Sequence, residues 1–82
     1  MNSQELFEQV KQVIADALNI NKEQISDNSS REDIDNWDSM GHLNIIMAIE
    51  RKFNVSFSTE EAINSASVLQ LAKVLEGKLN EN

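Results

Sequence analysis

Apolar positions return at intervals of three and four from the first residues onward. Leu6, Phe7, Val10, Val13, Ile14, Ala17 and Leu18 form one stripe, with Glu5, Glu8, Gln9, Lys11, Gln12 and Asp16 on the opposite face. That period predicts an amphipathic helix over Ser3 to Leu18, and Asn2 with Glu5 three residues on fits a capping pair. The pattern lapses from Asn19 to Asp38, a stretch rich in Asn, Ser and Asp whose Ile20, Ile25, Ile34 and Trp37 are expected to pin it to the core. A connection this long within a small domain is usually functional. Helical spacing resumes over Ser39 to Phe53, where Ile45, Ile46, Ile49 and Phe53 make the inward stripe. Met40, Leu43 and Met47 form a second row. It reads as the edge of the core, above all at Leu43, while exposed methionines there would suit an adaptable docking surface. Val55 and Phe57 should point inward from a short link. Ser58 with Glu61 opens a helix of one to two turns through about Ile63. Ser67 with Gln70 opens the last helix, with Val68, Leu71, Ala72, Leu75 and Leu79 on one face and Gly77 and Asn80 weakening its end.

Proline is absent and glycine occurs only at Gly41 and Gly77, which agrees with a mostly helical chain. The expectation is an all-α fold, a small four-helix bundle of three main helices and one short one, forming a single domain over residues 1–82. So short a chain has a modest core and no room for a deep enzyme cavity.

The charge is strongly one-sided: seven basic against fourteen acidic residues give a net charge of -7. This argues against nucleic acid, whose phosphates demand Lys and Arg, and against anionic membrane surfaces; it favours partners with basic patches. Residues 23 to 38 hold six of the acids, Glu23, Asp27, Glu32, Asp33, Asp35 and Asp38, against Arg31 alone. There is no cysteine, hence no disulfide, thiolate nucleophile or cysteine metal site. No apolar run is long enough to span a bilayer and the first residues lack a signal-peptide core, so a cytoplasmic protein without membrane insertion is expected.

Ser39 stands where the polar connection ends and an apolar-faced helix begins. Its hydroxyl should project from the positive end of that helix, beside N–H groups without intrahelical partners, where an anionic phosphoester would be well received. The plain alternative is that Ser39 simply caps the helix. No catalytic constellation accompanies it. His42 follows by three residues, but no third group is placed to orient it, and it reads as a partly exposed structural histidine. Asp33 and Asp35 do not open a calcium loop, since its sixth and twelfth positions, glycine and glutamate in such loops, hold Asp38 and Asn44. No metal site is expected.

The string Trp37-Asp38-Ser39-Met40-Gly41-His42-Leu43, followed by Ile45-Ile46-Met47-Ala48-Ile49-Glu50 and Phe53, resembles the acyl carrier protein family around its Asp-Ser-Leu attachment motif. The likeness extends to the order of helices, the long acidic connection and the length. It implies that a phosphopantetheinyl transferase converts Ser39, using coenzyme A, into a 4'-phosphopantetheine ester whose thiol carries acyl groups as thioesters. The chain would then be no enzyme but a monomeric carrier, the partner of the transferase and of acyl-loading and synthase enzymes. Asp38 matches the motif aspartate and would engage the transferase and its magnesium; Met40 stands where the family usually has leucine. Asp35, Asp38, Met40, Leu43, Met47 and Glu50 form the expected partner surface. Asp35 and Asp38 should both be solvated, so that reversing their charge slows modification without unfolding the chain. Ile45, Ile49, Phe57, Ala62 and Leu71 would line the space that shelters an acyl chain, or serve as ordinary core, and the two roles are compatible.

The chain departs from the fatty-acid-synthesis carriers of that family. Their serine-led helix is strongly acidic, whereas this one carries only Glu50, followed by Arg51 and Lys52. Gly41, His42 and Asn44 occupy positions often charged or β-branched. A specialised, free-standing carrier for a fatty-acid, polyketide or related dedicated pathway is the reading that follows. The Asp-Ser-Met-Gly string also resembles D-alanyl carrier proteins, an aminoacyl or peptidyl carrier is a further alternative, and an unmodified helical adaptor is the competing class.

Overall fold

The computed structural model describes residues 2–80, in which four α-helices alternate with irregular connections: α1 (Ser3–Leu18), α2 (Ser39–Phe53), α3 (Thr59–Asn64) and α4 (Val68–Leu79). A frayed end is expected over Asn80-Glu81-Asn82, of which Glu81 and Asn82 lie outside that span, while Asn80 caps α4. Each start is held by a side chain of the type expected there. Asn2 Oδ1 accepts from the Glu5 amide at 2.8 Å, and Glu5 returns the bond to the Asn2 amide. Ser58 and Glu61 cap α3 reciprocally at 3.1 and 2.8 Å. At α4 the Ser67 hydroxyl accepts from the Gln70 amide at 3.1 Å, but Gln70 Oε1 reaches one residue further back, to the Ala66 amide at 3.0 Å. Both long helices end on an asparagine in the left-handed conformation, Asn19 (φ 58°) and Asn54 (φ 57°), the non-glycine residue that best tolerates this turn.

The stripes meet in one core. α1 packs against both α2 and α4, and Val10, Ile14, Ile45, Ile49, Val68, Leu71 and Leu75 are wholly buried between them. Ala15 is buried as well, although the spacing did not single it out. Phe7, Ala17, Phe53, Val55, Phe57 and Leu79 are only half-buried around this centre.

The connection between α1 and α2 is not structureless. It folds into two 3-10 turns, Lys22–Gln24 and Arg31–Asp33. Ile25 and Trp37 are buried, and Ile20 and Ile34 pack half-buried on the core, as their isolated positions in a polar stretch predicted. Ion pairs fasten its first half: Lys11 bridges Glu8 and Asp27, each at 2.7 Å, and Lys22 reaches Glu8 at 2.8 Å. Its second half is bracketed to the start of α4. The Arg31 amide donates to the Ala66 carbonyl at 2.9 Å and the Val68 amide donates to the Ser29 carbonyl at 3.0 Å, an isolated antiparallel bridge between Ser30 and Ser67.

Two features of α2 depart from the sequence reading. The helix turns Gly41, His42, Ile45, Ile46 and Ile49 inward, and 3.6 residues per turn then carry Met40, Leu43 and Met47 to the opposite arc. Leu43 is therefore not the edge of the core but 53% exposed, between Met40 at 68% and Met47 at 45%. His42, expected to be partly exposed, is buried at 8%.

Candidate functional site: the start of helix α2

The approach to Ser39 is built from a ring of short contacts. The Asn36 side-chain amide donates to the Leu18 carbonyl at 3.3 Å, docking the connection on the last turn of α1. Trp37 then buries its indole, and Nε1–H donates to His42 Nδ1 at 2.9 Å. The other imidazole nitrogen, Nε2, lies 2.7 Å from the Ala62 carbonyl of α3. Because the indole nitrogen can only donate, Nδ1 is the acceptor and Nε2–H donates. One histidine thus ties the connection, α2 and α3 together, with both ring nitrogens committed to structure. Gly41 permits the same closeness on the α1 side. A Cβ there would meet the Asn36 carbonyl oxygen at 2.6 Å and Leu18 Cδ2 at 2.7 Å.

Asp38, not Ser39, caps α2. Asp38 Oδ1 accepts from the Gly41 amide at 2.8 Å, and its carbonyl takes the first helical bond from the His42 amide at 2.8 Å. Ser39 is consequently the first helical residue, exposed, with its hydroxyl free of capping duty. This settles the choice between cap and projecting hydroxyl left open by the sequence. Asp38 is exposed, as expected, and one of its carboxylate oxygens also holds the helix start. Asp35 is exposed as expected. Among the described residues the Ser39 hydroxyl has one side-chain partner, Arg31, whose Nη2 donates to Ser39 Oγ at 2.9 Å. Sequence spacing did not bring these two together.

Around the serine the surface is apolar on one flank. Met40, Leu43 and Met47 form an exposed row along α2, and Ile63 of α3 is 70% exposed. Ile63 was not foreseen, because a helix as short as α3 leaves its outward side to be decided by docking. Glu50 lies farther along, half-buried, with Oε2 accepting from the Phe57 amide at 2.8 Å, so it also fixes the link after α2. Arg51 and Lys52 stand in the last turn, about 18 Å from Ser39 along the axis at 1.5 Å per residue. Ile45, Ile49 and Leu71 are fully buried, and Phe57 and Ala62 pack half-buried against the same cluster. Among the described residues no group of three or more His, Asp or Glu could hold a metal ion, and no helix is long and apolar enough to cross a membrane.

This arrangement suits a group joined through a phosphoester. It presents an exposed hydroxyl on a helix start, a guanidinium in contact with it and, among the described residues, no side-chain base bonded to it that would make it a nucleophile of its own accord. Comparison with known proteins supplies the family. The family model for the phosphopantetheine attachment site matches residues 8–75. The acyl carrier protein of Petrotoga mobilis is 35% identical over 81 residues, covering 98% of this chain and 94% of the relative. That of Thermosynechococcus vestitus is 32% identical over 79 residues, 96% of this chain and 98% of the relative. That of Wolinella succinogenes is 31% identical over 71 residues, 87% and 93% of the two chains. With an all-helical fold, an attachment-site match over most of its length and relatives that are carriers rather than enzymes, the chain belongs to the acyl carrier protein family, whose prosthetic group is 4'-phosphopantetheine.

Proposed function

We propose that Ser39 is the residue that receives the 4'-phosphopantetheine arm, and that the chain acts as a monomeric, cytoplasmic carrier serving a specialised pathway. The observation that carries the assignment is the division of labour at α2: Asp38 takes the cap bond to Gly41, leaving the adjacent Ser39 hydroxyl exposed and available. The arm supplies a thiol, which this cysteine-free chain lacks, and holds acyl groups there as thioesters. The residues of the chain do the rest. α2 fixes where the arm is rooted, and the Trp37–His42–Ala62 contacts keep that root from shifting relative to α3.

Partner enzymes would meet the end of the bundle where Asp35 and Asp38 lie beside the start of α2. Asp35 and Asp38 supply charge for basic patches, while Met40, Leu43 and Met47 supply an adaptable apolar contact, to which Ile63 adds. Glu50 contributes charge at the margin. A dedicated pathway rather than housekeeping fatty acid synthesis is supported by α2 itself, whose one acid, Glu50, is followed by Arg51 and Lys52. Partners of the common acidic-helix carriers would lose attraction along this helix and meet like charge at its end. Ile45, Ile49, Phe57, Ala62 and Leu71 form the lining that an acyl chain would enter between the helices, over one carrier domain spanning residues 1–82.

Intact mass after incubation with coenzyme A, magnesium and a broad-specificity phosphopantetheinyl transferase tests the attachment. The wild type gains one phosphopantetheine and Ser39→Ala gains none. A folded wild type that gains nothing, or a Ser39→Ala variant that is still loaded, rejects Ser39 as the site.

A further inference from the structure

Arg31 is the only base among six acids in residues 23 to 38, yet among the described residues its guanidinium forms no ion pair with any carboxylate. It reaches a neutral group instead: Nη2 donates to Ser39 Oγ at 2.9 Å. Its backbone is held independently of that contact. The Arg31 amide bonds to the Ala66 carbonyl at 2.9 Å, and the flanking Ser30 is paired with Ser67 at the start of α4. The residue is half-buried, and its contact with Ser39 lies at the surface.

We propose that Arg31 is a positioning residue for the phosphodiester formed on Ser39, its guanidinium moving from the hydroxyl to the non-bridging phosphate oxygens two bonds further out. The inference rests on Ser39 as the attachment site. A guanidinium presents parallel N–H donors that match two phosphate oxygens at once, whereas a hydroxyl can use only one. Replacing the neutral oxygen by a phosphodiester therefore strengthens a contact already in place. It also offsets the repulsion a new negative charge meets on a chain of net charge -7. The first bonds of the arm are thereby leaned toward the Arg31–Asp33 turn and the start of α4, away from the exposed row of Met40, Leu43 and Met47. Partner enzymes would meet an arm whose root has a fixed direction and an apolar flank left clear.

Phosphorus NMR of the loaded protein tests this, with wild type, Arg31→Gln, Arg31→Lys and, as a control of equal charge change at an exposed site on α4, Lys73→Gln. Mass confirms loading of each, and amide spectra confirm the fold, which the retained backbone bonds of residue 31 should preserve. In the wild type the phosphodiester resonance is displaced from that of the same phosphodiester in a free phosphopantetheinyl-serine peptide and moves toward it as salt is raised. Arg31→Gln brings it to the free position and abolishes the salt response, Arg31→Lys leaves it between the two, and Lys73→Gln leaves it where the wild type has it. A resonance identical in loaded wild type and Arg31→Gln, or one displaced equally by Lys73→Gln, overturns the role of Arg31 while the attachment site stands. Should Arg31→Gln not fold, a wild-type resonance at the free position, or one unmoved by Arg31→Lys, overturns it equally. A wild type that is never loaded overturns both readings.

Discussion

The Trp37 indole donates its single hydrogen bond to His42 Nδ1 at 2.9 Å, five residues along the chain and inside the core. The indole fixes the tautomer of the imidazole, and the imidazole passes the constraint on to the Ala62 carbonyl at 2.7 Å. Ring-nitrogen NMR shifts should show His42 protonated at Nε2 only. Trp37→Phe and His42→Leu each strand a buried polar partner and should cost about 1–3 kcal/mol in chemical denaturation. Since they break one shared network, the double variant should cost less than the sum by about 0.5 kcal/mol or more. Additive losses would mean that the two residues pack independently.

Capping and recognition can be separated at Asp38. Asp38→Ala removes the acceptor of the Gly41 amide and should lower stability by about 0.5–2 kcal/mol. Asp38→Asn keeps an acceptor and should stay within a few tenths of wild type, while the lost charge slows loading of Ser39 by the transferase. Asp35→Asn, at an exposed position, should leave stability within about 0.5 kcal/mol and also slow loading. Equal destabilisation by Ala and Asn at position 38 would show that charge, not the cap bond, holds the helix start.

The two glycines should respond oppositely to alanine. At Gly41 a methyl would meet backbone, the Asn36 carbonyl oxygen at 2.6 Å, and that neighbour cannot swing aside. Gly41→Ala should cost about 1–3 kcal/mol as an overpacked contact. At Gly77 nothing lies within 4 Å of the added carbon, and Gly77→Ala should raise stability by up to about 1 kcal/mol through helix propensity alone. Thermal melts of the two variants shifting in the same direction would contradict this packing.

Acid should loosen the bracket between α1 and the following connection. Glu8, held first by Lys11 and then by Lys22, has its carboxyl pKa lowered from 4.5 to about 2. A carboxyl lowered in the folded state stabilises above its unfolded value, and that contribution is lost as pH falls through its folded one. Urea midpoints should therefore decline through this site between about pH 4.5 and pH 2, less steeply in Glu8→Gln. The carboxylate is exposed, so the difference should shrink with added salt. Parallel acid profiles for the two proteins would exclude Glu8 as a source of the decline.

Helix positions were legible in the sequence because their causes are local. A three-and-four spacing of Val10, Ile14, Ile45, Ile49, Leu71 and Leu75 says which side turns inward, and Asn2, Ser58 and Ser67 mark where three helices start. The serine at the start of α2, and the resemblance it carries, were legible for the same reason. What surrounds that serine was not, since it comes from residues brought together by packing. Leu43 faces solvent because Gly41 and His42 claim the inward arc, Gly41 for its lack of a Cβ against Asn36 and His42 for its two buried partners. Phe53, placed on the inward stripe, ends only half-buried against the core, at the last position of α2. Arg31 reaches Ser39 because its turn is bracketed to α4 through Ser30 and Ser67, residues far apart in the chain. Periodicity and caps are written residue by residue along the chain. Contacts between a polar connection and the elements it crosses depend on how closely the helices approach, and only the packed fold decides that distance.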